Sequence, residues 1–525
     1  MHRRLAAPLL LALACGPADS DDTSATTGGE TTADPTAPTT GGTDLPQTLL
    51  CAERDKLDVL LVVEDSPAMQ DSQELTATLA RALIDISSSE LAVDVHLAVV
   101  SASIGGKQCT NANVHDGEFL TTPCAARPDD FSPAAAAACQ TACPFEQLEI
   151  LPTTTASDPN PAPRPWLEGL AEVTNVDVDL ADAAACIAPQ GDAGCSFPAP
   201  LTALARALDR ALDPQDPAFG FLRADAHLRV IFVGTTSDCS VRPTAQGIFS
   251  PDSPFLSDPM LVTPGICWNA GVRCTGDPDA FTDCTPEHHS VDGSPGASPE
   301  DAVLEPVATH IDRLQSLLDN NVVASVGVGV LTGVPTAYPD QPIVYTTTCE
   351  PAELATAAIC PGCTAMGRQA SPPVRLRALA EAFKPDPDAT PNLVSLCGGD
   401  PSAVWSPYFG TLLDPIKLNC VDVCVADSDP STEPLDPDCT IFEALPEQSP
   451  VALPTCKFAE NMFVLPDGVD TCAAILPPQL MSPECTDTGH NAEVIILRSK
   501  PAQGGACISV SCVASSDPAT DCPAP

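Results

Sequence analysis

Aromatic and basic side chains are scarce in this chain. Its 525 residues include 15 Phe, 3 Tyr and 3 Trp, so a core must be filled mainly by Val, Leu, Ile and Ala. Lys and Arg number 23 against 70 Asp and Glu, a formal net charge of −47. A surface so poor in positive charge repels nucleic acid and anionic lipid headgroups. It suits solubility, divalent cations and basic partners, and its plainest reading is a solvated acidic exterior. No apolar run reaches the roughly 20 residues that a membrane-crossing helix needs. Three catalytic signatures are also missing: the Gly-x-Ser-x-Gly elbow, the Walker loop, and a Gly-x-Gly-x-x-Gly turn opening a helix after a strand. With no catalytic motif present, the expectation is a binding protein and not an enzyme.

Cysteine and proline are plentiful instead. Twenty-five cysteines are too many for a reducing compartment unless metal sites hold them. Cys360 and Cys363 form one Cys-x-x-Cys, but no second such pair and no His pair follows at finger spacing. Cys139/Cys143 and Cys420/Cys424 are expected to bond to distant partners. Setting Cys15 aside leaves 24, enough for up to twelve disulfides whose connectivity stays open. The 57 prolines predict long ordered loops and linkers.

Residues 1–14 read as a signal peptide. Arg3 and Arg4 supply its positive start, and Leu5 to Ala14 form an apolar run too short to span a bilayer. The run ends Leu11-Ala12-Leu13-Ala14-Cys15, which resembles the lipobox of bacterial lipoproteins. That resemblance implies a lipidated Cys15 and membrane attachment through its acyl chains. Gly16 in place of Asp implies the outer membrane. The Arg pair lacks the rest of a twin-arginine motif and is read as a plain n-region; the alternative to the lipobox is an ordinary signal peptide followed by an unpaired cysteine. After the lipidated Cys15, residues 15–49 are mostly Thr, Asp, Gly and Pro, which predicts a disordered tether.

Periodicity then predicts an α/β domain over residues 50–418. Asp58–Glu64 is a continuous apolar run bounded by acids, the pattern of a strand buried on both faces. Val93–Val100, His227–Val233 and Val322–Leu331 read as further strands. Gln70–Ile86, Leu201–Leu212, Val303–Leu318, Pro373–Phe383 and Ala403–Ile416 read as helices. Strands alternating with helices predict a doubly wound, mainly parallel sheet. The stretches Gly105–Pro189 and Cys239–Asp301 read as disulfide-stapled insertions. Residues 419–525 lose the helical signal and read as a small Cys-rich β domain, with Val494–Leu497 and Cys507–Cys512 as strands. The premise underneath is that Val59–Val63 and Leu228–Val233 lie side by side and parallel in one sheet.

The segment Val59-Leu60-Leu61-Val62-Val63-Glu64-Asp65-Ser66-Pro67-Ala68-Met69 resembles the opening of a von Willebrand factor A (VWA) domain, in particular those of Cys-rich bacterial surface lipoproteins. Three later stretches follow in that family's order: Gly194-Cys195-Ser196-Phe197-Pro198, Gly220-Phe221-Leu222-Arg223, and Gly234-Thr235-Thr236-Ser237-Asp238-Cys239-Ser240. The resemblance implies a VWA-like (Rossmann-like) fold, an adhesion or protein-binding role, and a metal ion-dependent adhesion site built from Asp-x-Ser-x-Ser, a Thr and an Asp. Such hard oxygen ligands suit Mg²⁺ or Mn²⁺. This chain departs from that set: Glu64 stands for the first Asp, Ser66 is kept, Ala68 replaces the second Ser, Asp192 stands at the Thr position and Thr235 at the last Asp. Glu64, Ser66, Asp192 and Thr235 are thus the candidate ligands of a degraded site, with Asp65 and Asp238 nearby in sequence. Two outcomes follow: a rearranged site for Mg²⁺, Mn²⁺ or Ca²⁺, or a scaffold that binds its protein or other extracellular ligand through loops without metal. The second is preferred.

Other clusters are weaker. Asp277-x-Asp279-x-x-x-Asp283 is similar to a short calcium loop, and His288-His289 is a bare His pair; both read more simply as surface loops. His96 reads as packed within its strand, and Val326-Gly327-Val328-Gly329-Val330 as close-packed backbone. A secreted metal-dependent hydrolase centred on Asp277, Asp283, His288 and His289 is the alternative function, and a purely structural envelope lipoprotein a third.

Overall fold

The computed structural model describes residues 48–51, 56–85, 93–109, 114–170, 173–224, 226–257, 260–384, 392–398 and most of 420–522. The expected signal peptide, Cys15, most of the tether and the helix expected over Ala403–Ile416 lie outside the described residues. The chain divides into two compact units, one formed by Asp55–Asp414 and the other by Met1–Arg54 with Pro415–Pro525.

The larger unit is built on a seven-stranded sheet. Its strands are β1 (Lys56–Val63), β2 (Asp94–Ser101), β3 (Leu167–Leu170), β4 (Val173–Thr174), β5 (Ala226–Val233), β6 (Ser325–Thr332) and β7 (Leu393–Ser395). The order across the sheet is β7-β6-β5-β1-β2-β3-β4. β1, β2, β5, β6 and β7 run parallel, and β3 and β4 continue the β2 edge antiparallel. Val59 stands beside Arg229 and Val63 beside Val233, so the two runs on which the sequence reading rests are adjacent and parallel. The sheet is the mixed α/β, mainly parallel arrangement that the alternation of elements predicts.

Eight helices are described: α1 (Gln73–Asp85), α2 (Pro133–Ala142), α3 (Leu180–Ile187), α4 (Pro200–Leu212), α5 (Gly265–Gly271), α6 (Val307–Asp319), α7 (Pro351–Ala357) and α8 (Val374–Ala382). The chain leaves β1 for β2 through α1, then returns across β1 to β5 through α4. Right-handed crossovers taken in opposite directions put α1 and α4 on opposite faces. On one face Leu60, Val62, Val100, Val230 and Phe232 pack with Leu204 and Leu208 of α4, Leu314 of α6 and Leu379 of α8. Leu57, Val59, Leu61 and Val63 alternate to the other face and are equally buried, which is why β1 reads as a continuous apolar run.

Buried polar groups explain several motifs. Arg223 donates from Nε to Asp58 Oδ1 at 2.8 Å and from its backbone N to Asp58 Oδ2 at 2.9 Å, so the Gly-Phe-Leu-Arg stretch ties the loop to β1. Burial pushes the Asp58 carboxyl up to about 7, with Arg223 opposing the shift. His96 lies between Phe221 and Trp166 with its Nδ1 3.0 Å from the Phe221 carbonyl, in keeping with a packed histidine. A Cβ at Gly327 would come within 3.0 Å of the Arg229 side chain, so that glycine makes room for a buried guanidinium.

Five disulfides hold the insertions, Cys109–Cys195, Cys124–Cys139, Cys143–Cys186, Cys239–Cys267 and Cys274–Cys284, and two more, Cys349–Cys360 and Cys363–Cys397, lie later in the unit. The Cys360-x-x-Cys363 pair is therefore split between two bridges. Cys124, 15 residues away, is a nearer partner for Cys139 than the expected distant one. The unit that contains the C-terminus is β-rich, with a four-stranded sheet in which Cys507–Cys512 pairs with both Thr48–Cys51 and Cys439–Ala444. The expected tether runs to residue 49, but its last two residues, Thr48 and Leu49, pair in this sheet with Val510 and Ser509. Four bridges are described here: Cys420–Cys485, Cys424–Cys522, Cys439–Cys512 and Cys456–Cys472. Disulfides at this density belong to an oxidising, extracytoplasmic compartment. Among the described residues no helix is long and apolar enough to cross a membrane.

Candidate functional site at the carboxyl ends of the parallel strands

The strand order turns back at β1, and the crevice at such a switch point is where open parallel sheets place their ligand loops. The chain leaving β1 carries Glu64, Asp65 and Ser66, and the chain leaving β5 carries Gly234, Thr235 and Thr236. The Glu64 carboxylate is the hub. Its Oε1 accepts from Ser66 Oγ at 2.5 Å, Thr235 Oγ1 at 3.0 Å and Thr236 Oγ1 at 3.1 Å. Its Oε2 accepts from the backbone N–H of Thr235 at 2.7 Å and of Thr236 at 3.0 Å. A Cβ at Gly234 would stand 2.7 Å from Oε2, so glycine there lets the backbone close over the carboxylate.

Asp65 turns the other way, toward the chain after β2. It accepts from Ser101 Oγ at 2.6 Å and Ser103 Oγ at 2.5 Å. Burial pushes its carboxyl up to about 7 although both hydroxyls favour the charged form. Gly194 closes this pocket, since a Cβ there would fall 2.2 Å from Asp65 Cγ. Sequence reasoning missed Ser101, Ser103 and Thr236; a Ser-x-Ser directly after a buried strand was the available signal.

Three of the four candidate ligands therefore meet: Glu64, Ser66 and Thr235. Asp192 does not join them. Its Oδ1 accepts from the Ser132 backbone N–H at 2.6 Å, at the start of α2, and its own N–H goes to the Asp130 carbonyl. Asp238 is committed elsewhere too. Its carboxylate takes Arg375 Nε at 2.8 Å, Ser240 Oγ at 2.6 Å and the Leu201 N–H at 3.3 Å, joining α8 to the first turn of α4.

The donor set fits a cation poorly. A carboxylate offers about four lone-pair positions, and Glu64 already receives five donors. Glu64, Asp65, Ser66 and Thr235 are all buried. Among the described residues no three His, Cys, Asp or Glu side chains are grouped as metal ligands would be. Asp279 accepts from Thr348, Asp283 from the Cys284 N–H, and His289 Nδ1 lies 3.1 Å from the Ala270 carbonyl. Among the described residues, Asp277, Asp283, His288 and His289 therefore form no group of three that could hold a metal ion.

No protein-family pattern matches this chain, and no curated protein does. Among solved structures, two forms of the pilus adhesin SpaC from Lactobacillus rhamnosus GG align at 9% and 10% identity with a TM-score of 0.27. The alignments cover 90% of this chain and 42% and 41% of the adhesin, so the chain spans less than half of that protein's length. A similarity this low carries no argument about function.

Proposed function

We propose that this chain is an adhesion or protein-binding module of a bacterial surface, presented on a lipid anchor at Cys15 and a short tether. Its larger unit is read as a VWA-like domain whose metal site has been replaced by an internal carboxylate. The observation that supports this most is the saturation of Glu64 by five donors from the two loops that flank the switch point. The two loops are thereby fixed in place without an ion, and the partner meets the exposed residues Pro67 and Ala68 after β1, with Ala193 and Ser196 of the loop before α4. Export and the oxidising compartment are supported by the disulfides.

Two measurements test the reading. Titration calorimetry of Mg²⁺, Mn²⁺ and Ca²⁺ into the mature protein is expected to give no stoichiometric heat; a single saturable site would sink the metal-free reading. Detergent phase partitioning is expected to place the wild-type protein with the detergent and the Cys15→Ala protein in the aqueous phase. Equal partitioning of the two would remove the anchor.

A further inference from the structure

A cleft of about 660 Å³ opens on the α4–α6 face of the larger unit, away from Glu64. α4 contributes Thr202 and Arg206, α6 contributes His310 and Arg313, and the loops after β2 and β5 contribute Lys107 and Arg242. In a chain with 23 basic residues among 525, four in one cleft is a concentration worth explaining. Arg206 is paired with Asp116 and Arg313 with Asp209. Arg242 donates only to backbone carbonyls, those of Pro299 and Glu300. The Lys107 ammonium has no ion-pair partner among the described residues; only its backbone N–H is engaged, by Gln246. Lys107 is therefore unpaired among the described residues, while Arg242 feels the exposed Glu300 carboxylate through space without an ion-pair contact.

The floor tells the same story independently. His310 is 1% exposed. Its Nε2 faces Glu305 Oε2 at 3.3 Å, and its Nδ1 has no hydrogen-bond partner. Buried polar atoms are nearly always satisfied, so the unmatched Nδ1 at the base of a cleft points to a partner that enters it. The first turn of α6 also ends at the cleft through Pro306 and Thr309, with no side-chain cap and no acidic residue. Such a turn favours negative charge. The corresponding amides of α4 are already taken by Asp238 and Ser240.

We propose that this cleft binds a small carboxylate-bearing ligand, held by Lys107 and Arg242 at the rim and reaching His310 at the floor. No Phe, Tyr or Trp lines the cleft, which disfavours stacking of sugar or base rings. Glu305 and Asp209 also face it, so a polyanion or a dianionic phosphate is repelled where a single carboxylate is accepted. The volume suits a compact molecule or a short peptide end. A free organic acid and an acidic peptide offer the same group. The proposal concerns a separate surface and stands whether or not the receptor reading of the strand-end loops holds.

The test is titration calorimetry on the mature protein with propionate, with an acetyl-Ala-Asp-Ala-amide peptide, and with inorganic phosphate. Saturable binding of propionate supports the proposal with a free acid as the source; binding of the peptide alone supports it with a peptide as the source. The Lys107→Gln, Arg242→Gln double variant is expected to bind at least tenfold more weakly, with unchanged thermal unfolding. Arg273→Gln, on the exposed Val272–Pro286 hairpin, is expected to bind as the wild type does. The proposal is overturned if neither carboxylate binds, if phosphate binds as well as they do, or if the Arg273 variant loses as much as the double variant.

Discussion

Glu64 sits between two kinds of donor, and that sets what each substitution does. Oε2 faces two backbone N–H groups, which can only donate, while Oε1 faces three hydroxyls, which can also accept. In Glu64→Gln the amide oxygen keeps the backbone side and the NH₂ group turns to the hydroxyls, so the cost is expected near 1 kcal/mol. In Glu64→Ala all five donors lose their acceptor in a buried place, and the loss is expected at about 3 kcal/mol. Urea unfolding separates the two; equal costs would show that the donors are satisfied by something other than this carboxylate. Asp65 adds a pH dependence. Its folded pKa, raised by burial to about 7, lies above the value near 3.8 of the unfolded chain. The folded state then holds a proton that the unfolded state has released, so stability is full below about pH 4 and falls as pH climbs toward 7. Asp65→Asn removes that titration. The difference in melting temperature between wild type and variant is expected to move in the variant's favour across this window and to level off above it. A constant difference from pH 4 to 8 would contradict the burial argument.

Elements differ in how much of them the sequence discloses. β1, β2, β5 and β6 are eight-residue runs buried on both faces, and such runs leave a hydrophobic signature whatever their surroundings. β3, β4 and β7 are strands of two to four residues, too short to show a period, and they exist because the neighbouring strand offers an edge. Thr48–Cys51 is the same case in the other unit. At the site, Glu64, Ser66 and Thr235 were legible because they lie at the ends of readable strands. Asp192 was misplaced because order along the chain says nothing of where a loop side chain turns, and here it turns to the start of α2. Register supplies one pairing that sequence left open. Cys439 faces Cys512, and Cys274 faces Cys284, each across an antiparallel pair, and both pairs are bonded. Cys51 faces Cys507 in the same way. Peptide mapping without reduction is expected to return a Cys51–Cys507 bridge and so leave Cys15 the odd cysteine of the 25; a peptide joining Cys15 to either of them would remove both the bridge and the lipid anchor.

Across the whole molecule, the two units are held by different forces. The cluster that packs β1, β2, β5 and β6 against α4, α6 and α8 contains no cysteine. The seven bridges described in this unit lie in the insertions, around α7 and beside β7, outside that packing. The other unit has the reverse design. Its clusters are small and include Cys512, Cys456 and Cys472 themselves. Three of its bridges close separations of 65, 98 and 73 residues. Loops of that length confine the unfolded chain by roughly 4 kcal/mol each in the loop-entropy account, a large share of any small domain's stability. Progressive reduction should therefore separate the units. Followed by hydrogen exchange, the amides of Val494–Leu497 and Ile508–Val510 are expected to lose protection at reductant concentrations that leave those of Leu60, Val99 and Val230 protected. Thiol labelling at that stage is expected to find Cys420, Cys424, Cys439 and Cys512 open while the central sheet still excludes solvent. Loss of both regions in one step would mean that the insertion bridges, and not the apolar packing of the sheet, hold the larger unit together.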